Sequence, residues 1–185
     1  GGFGGKATVY LEFLSALLAR KSGRAVKMTM TRSEVLRSTG PSPGSWSRAK
    51  VGITKEGKLT AATAWMAYEA GGYPSIWSSG AAVGSLGTYS LDNLRVDIYE
   101  VVVNKPHAGA YRAPGGTQIS FAVETTIDEA LRQAGLDPLE FRRRNASAEG
   151  DLRVDGPPFA KIGTRECIEA MAESDHWKAP LGEPA

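Results

Sequence analysis

Apolar side chains recur with a helical period near the start of the chain. Tyr10, Phe13, Leu14 and Leu17 fall at i, i+3, i+4 and i+7, and Leu11 and Leu18 widen the stripe. The pattern predicts an amphipathic helix, with Arg20 and Lys21 in its last turn and Gly23 just past its end. The period then drops to 2. Residues 25–31 alternate, with Val26, Met28 and Met30 on one face, and predict a strand. After a Pro- and Ser-rich loop at 41–45, residues 47–54 and 59–68 flank a short Lys-Glu-Gly-Lys turn and predict a β-hairpin. Residues 93–104, rich in Val, Ile and Tyr, predict another strand. Helical spacing returns at Ile119, Val123, Thr126, Ile127 and Ala130, and stops near Gly135. Asp137-Pro138-Leu139-Glu140 combines a capping Asp, a Pro in the first helical position and an acid three residues after the cap, a strong helix start. Beyond a polar connection at 150–161, a last helix is expected from about Arg165 to Ser174, with Ile168, Met171 and Ala172 inward. Helices and long strands that do not strictly alternate predict an α+β fold with packed helices and a mixed, largely antiparallel sheet.

Composition narrows the class. Of 185 residues, 42% are hydrophobic and 23% charged, and the formal charge is only +2. A disordered tail, a coiled coil and electrostatic capture of nucleic acid are therefore disfavoured. No apolar run approaches the roughly 20 residues of a membrane span. One cysteine, Cys167, excludes a disulfide framework and a multi-Cys metal site. The chain opens at Gly1 inside a glycine-rich run, and no basic segment is followed by an apolar one. A piece of a longer polypeptide with a cytoplasmic location is expected.

The chemistry concentrates in two glycine-rich stretches, each ahead of a helix. In Gly1-Gly2-Phe3-Gly4-Gly5-Lys6 the missing Cβ atoms let backbone N–H groups approach a ligand, and a helix N-terminus favours negative charge. A P-loop needs Ser or Thr where Ala7 stands, and a dinucleotide fingerprint needs a preceding strand; both fit poorly. A tight turn without a ligand is the plain alternative. In the second stretch, 109–118, Arg112 sits among small residues and Pro114, where a guanidinium fork suits an anionic or oxo-bearing ligand. A loop arginine paired to a surface carboxylate is the bland alternative there.

Taken together, GGFGGK before a helix and, about a hundred residues later, AYRAPGGTQ before another resemble the molybdenum-binding large subunit of the xanthine dehydrogenase and aldehyde oxidase family. SGRAVKMTMTRSEV, ITKEGKLTAATAW and GLDPLEFRRRNASAEGD resemble the passages around these loops. The resemblance spans most of 1–177, implying a partial cofactor-binding domain there and a linker or the start of the next segment at 178–185. It implies a molybdenum–molybdopterin cofactor approached by Gly2, Phe3, Gly4, Ala110 and Arg112. Arg112 takes a catalytic role in this reading, Tyr111 and Ala113 line the substrate side, and no side chain ligates the metal. The implied reaction is hydroxylation of an electron-poor carbon with oxygen from water. The electrons would leave through iron–sulfur clusters and flavin on other domains or subunits. A non-catalytic assembly domain that kept the fold without metal is the competing reading, and a nucleotide-binding domain is a distant third.

Departures from the purine-specific pattern shape the substrate expectation. Ala7 stands where those enzymes have Glu, Ala113-Pro114 where they have Gly-Phe, and small residues around Gly80 where they place an Arg. An aldehyde or another N-heterocycle is therefore favoured. Gly182-Glu183-Pro184 superficially matches the family's general-base context but is read as a solvated linker, so the fragment alone is expected to be inactive. His107 is expected to make structural hydrogen bonds. His176 and Cys167 read as ordinary helix residues, and Arg142-Arg143-Arg144 as a solvated helix face or a domain contact. Trp46, Trp65 and Trp77 read as core or interdomain surface.

Overall fold

The computed structural model describes residues 2–40, 42–74, 79–180 and 182. A single 3-10 turn at Gly5–Ala7 precedes helix α1 (Glu12–Ser22), and α2 (Arg32–Ser38) follows. Strands β1 (Ser45–Ile53) and β2 (Leu59–Gly71) form the expected hairpin, whose turn is closed by Thr54 N–H to the Lys58 carbonyl at 2.9 Å. A short helix α3 (Ser79–Gly84) lies before β3 (Leu94–Val102), and α4 (Gly116–Ala134), α5 (Pro138–Asn145), α6 (Thr164–Glu173) and α7 (Asp175–Lys178) complete the order.

The sheet has three strands in the order β1-β2-β3. Ala62 N–H meets the Asn93 carbonyl at one end, and Val103 N–H meets the Gly71 carbonyl at the other, so β3 runs parallel to β2. The sheet is thus mixed, one antiparallel and one parallel pair. The parallel pair carries the long crossover that such pairing requires. The α+β expectation holds.

Two compact units divide the chain: residues 1–47, 66–81 and 98–118 in the first, and 48–65, 82–97 and 119–185 in the second. The first is built on the end of β2, where Met66, Tyr68 and Ala70 alternate inward with strand period. The second packs Leu59, Ala62 and Ala64 of β2 and Leu86 with Ile119, Val123, Ile127 and Leu131, which repeat every fourth residue along α4. Asp137 caps α5 by accepting from Glu140 N–H at 2.7 Å.

The expected first helix forms as α1, but none of its residues is buried, and Phe13 and Leu17 are more than half exposed. Three expectations need correction. Residues 25–31 form no strand, because none of the described strands pairs with them. On α6, Ile168 and Ala172 are half-buried but Met171 is exposed. The arginine run is not simply solvated. Arg142 binds Glu124 at 2.7 Å and Asp128 at 2.9 Å, and Arg143 binds Glu169 at 2.8 Å, all within the second unit. Trp46 is exposed and Trp65 half-buried, while Trp77 and Glu183 lie outside the described residues. Cys167 and His176 sit exposed on α6 and α7. Helix α2 had a legible signal, a capping box in which Thr31 and Glu34 each satisfy the other's backbone N–H.

Candidate functional site: two strained loops in the first unit

The first loop reverses sharply. Gly5 N–H donates to the Gly2 carbonyl at 2.7 Å, and Phe3 and Gly4 have φ of +52° and +108°. In the second loop Gly116 N–H donates to the Ala113 carbonyl at 2.9 Å, with φ of +58° at Ala113 and +74° at Gly115. Phe3 and Ala113 are the two non-glycine residues with positive φ among the described residues, one in each loop. Left-handed backbone costs such residues roughly 1–2 kcal/mol each, and strain of this kind gathers where a ligand is gripped.

The loops touch. Arg112 N–H donates to the Phe3 carbonyl at 2.7 Å, and the Phe3 and Tyr111 rings lie 6.2 Å apart at 41°. A Cβ on Gly4 would stand 2.6 Å from the Ala110 carbonyl oxygen, so only glycine permits this approach. Thus Phe3, Gly4, Ala110, Tyr111 and Arg112, separated by about a hundred residues in sequence, form one surface. Ala113 follows on the same loop, exposed. Gly2 packs on its own loop, where a Cβ would stand 2.7 Å from Lys6 Cγ.

A third segment buttresses the pair. Gly40 and Gly109 are in backbone contact close enough that a Cβ on Gly40 would lie 2.7 Å from Gly109 Cα. Gly40 N–H donates to the Tyr10 hydroxyl at 2.7 Å, and Gln118 Nε2 donates to Ser42 Oγ at 3.0 Å and the Pro43 carbonyl at 3.1 Å. Beneath the second loop the Tyr68 hydroxyl donates to the Gly115 carbonyl at 2.7 Å. Burial pushes the Tyr68 phenol up to about 12, so it is a donor throughout the neutral range. Tyr68 was missed from sequence; the inward alternation of β2 was the signal that could have found it.

Outward from this frame, Phe3 and Tyr111 expose 65% and 54% of their surfaces. The Arg112 guanidinium makes no hydrogen bond or ion pair among the described residues. No surface ion pair of this arginine is seen among the described residues. His107 also departs from expectation. Its ring stacks on Tyr73 at 4.1 Å and 15°, and its Nδ1 is buried without a hydrogen-bond partner among the described residues. Gly80, in α3, is exposed with open space around it.

The sequence pattern of the molybdopterin cofactor-binding domain matches residues 1–146. The chain belongs to this family. It is 32% identical over 188 residues to the xanthine dehydrogenase molybdenum-binding subunit of Escherichia coli O157:H7, covering 99% of this chain and 25% of that protein. Its fold superposes on quinoline 2-oxidoreductase from Pseudomonas putida with a TM-score of 0.84 at 29% identity, covering 94% of this chain and 23% of the other. The aldehyde oxidoreductase of Desulfovibrio gigas gives a TM-score of 0.82 at 27% identity, covering 92% and 19%. The chain therefore spans about a quarter of the length of the relatives it matches. No described helix is long and apolar enough to cross a membrane.

The molybdopterin cofactor of this family carries a phosphate and oxo groups, and two features of these loops suit negative charge: the Arg112 guanidinium, which has no partner among the described residues, and the N-terminus of the 19-residue α4, which opens from the same loop.

Proposed function

We propose that this chain is the first part of the cofactor pocket of a molybdenum hydroxylase subunit acting on an aldehyde or an N-heterocycle. In this reading residues 1–177 form part of the cofactor domain, and 178–185 lead into the next segment. The observation that carries it is the closure of the two strained loops on each other through Arg112 N–H and the Phe3 carbonyl. The cofactor, when bound, supplies two-electron oxidation of a carbon with oxygen taken from water.

The chain's own residues do the rest. Gly2, Phe3, Gly4 and Ala110 form a backbone wall against the cofactor, made approachable by the absent Cβ atoms. Arg112 holds an anionic oxygen with its planar fork, and its backbone is anchored because its own N–H is tied to the first loop. Tyr111 and Ala113 border the substrate side. Ala7 and Ala113-Pro114 supply neither the acid nor the aromatic wall of the purine-specific members, which supports an aldehyde or another heterocycle. Iron–sulfur clusters belong on other domains or subunits, since a single cysteine cannot hold one, and the resemblance places the flavin there as well.

The deciding experiment is Arg112→Lys in the complete subunit. Turnover is expected to fall at least about tenfold, equivalent to 1.4 kcal/mol of transition-state stabilisation, with the unfolding midpoint unchanged. Unchanged turnover would overturn the assignment. A complete subunit that binds no molybdenum would favour the assembly-domain reading.

A further inference from the structure

Residues 25–30 are anomalous within the first unit. Neither their N–H groups nor their carbonyls enter a hydrogen bond among the described residues, while both neighbours, Arg24 and Thr31, have N–H partners in Ser22 and Glu34. Four of these six residues are exposed, so water meets the backbone groups here and they stand open for another chain segment to pair with. Their side chains are nevertheless patterned for a strand. Val26, Met28 and Met30 stand at every second position, Val26 and Met30 half-buried and Met28 exposed, with Lys27 and Thr29 exposed between them.

Beside this stretch runs a groove of about 940 Å³, lined on the other side by Tyr10 and Leu11 just before α1, by Ser15 of α1 and by Val35 of α2. No residue of the flanking helices is fully buried, and Phe13, Leu17 and Leu36 lie open. So large a spread of exposed apolar surface on one small segment marks a surface that another element covers.

We propose that residues 25–30 form the acceptor edge of a second sheet, completed by a strand from the part of the subunit outside these 185 residues. Main-chain pairing to 25–30 and apolar packing on α1 close the groove. The occupant follows from length: relatives matched over nearly all of this chain are about four times as long, so three quarters of their polypeptide is available to supply it. The inference rests on the reading of the chain as part of such a subunit.

Hydrogen exchange read by mass spectrometry tests it, on the 185-residue chain and on the complete subunit. In the short chain, amides of 25–30 are expected to exchange almost freely. In the complete subunit they should slow at least about a hundredfold, while the β1–β2 hairpin is protected in both as a control for folding. Equally fast exchange at 25–30 in both proteins overturns the proposal. Protection that rises with concentration of the short chain alone overturns it in favour of a second copy. Molybdenum content of the same complete subunit is measured in parallel. Metal bound without protection defeats this inference alone, and protection without metal defeats the cofactor reading alone.

Discussion

The hydroxyl of Tyr68, in the buried row of β2, donates to the carbonyl of Gly115, the hinge of the loop that carries Arg112. Gly115 has φ of +74°, and a Cβ there would stand 2.9 Å from that of Ala81, so glycine is required and its carbonyl is presented to the phenol. Removing the hydroxyl leaves a buried carbonyl unpaired. Tyr68→Phe is expected to lower stability by about 1–2 kcal/mol in urea unfolding. The pH dependence has a definite sign. Because burial raises the folded phenol to about 12, its contribution is fully present below the unfolded value near 10 and is lost as pH rises toward 12. Tyr89 is raised as well, so the difference between the wild-type and Tyr68→Phe stability curves is the readout; parallel curves from pH 9 to 12 would contradict this role.

Gly4 and Gly5 separate steric need from mere glycine content. Both sit in the first loop, yet a Cβ on Gly4 strikes the Ala110 carbonyl, whereas one on Gly5 meets nothing within 4 Å. Gly4→Ala should part the two loops, dropping the thermal midpoint by several degrees and emptying the cofactor site of the complete subunit. Gly5→Ala should leave both within error. Equal behaviour of the two variants in molybdenum content would remove the first loop from the site.

Much of this was legible because the signals are local. The hairpin announced itself by two β-prone runs around a Gly turn, and α5 by Asp137 and Pro138, whose capping bond is present at 2.7 Å. Gly23, with φ of +65°, ends α1 as its sequence position implied. The two strained loops were recognisable from their glycines. What could not be read was direction and partnership. The stripe of α1 predicts that one face will be covered but does not name the cover, and the alternation at 25–31 predicts a strand without supplying a neighbour. The parallel pairing of β2 with β3 depends on the path of the crossover between them. The alternation of β2 places Tyr68 inward, but the partners of Tyr68 and Asn145 lie far away in sequence, and no spacing rule names them.

In the second unit Glu124 is shared. Both its oxygens accept from the Tyr89 hydroxyl at 2.9 Å, and one also accepts from Arg142 at 2.7 Å. Burial first, and then the Glu124 charge, push the Tyr89 phenol well above its ordinary range. Glu124→Gln removes the charge but keeps an acceptor. Tyrosinate absorbance should then show Tyr89 ionising at lower pH than in the wild type, provided the titration is followed below the alkaline unfolding transition. An unmoved or upward-shifted Tyr89 titration would show that the carboxylate does not govern it.

Asn145 offers the sharpest stability test. Its buried side chain accepts from Leu59 N–H and donates to the carbonyls of Gly57 and Phe141, each at 2.8 Å, joining the hairpin turn to α5. Asn145→Asp keeps the size and the acceptor but removes both donors, setting a carboxylate against two carbonyl oxygens. Either the charge is buried against like dipoles or a proton is taken up, and both routes cost stability. A loss of about 3 kcal/mol or more at neutral pH is expected, easing as pH falls because the protonated acid regains one donor. Asn145→Ala leaves the Leu59 N–H and the Gly57 carbonyl without their side-chain partner and should cost about as much, but with no comparable pH dependence. Urea unfolding of both variants at pH 5 and pH 8 distinguishes them. If Asn145→Asp proves no more sensitive to pH than Asn145→Ala, the amide is not pairing the turn to the helix.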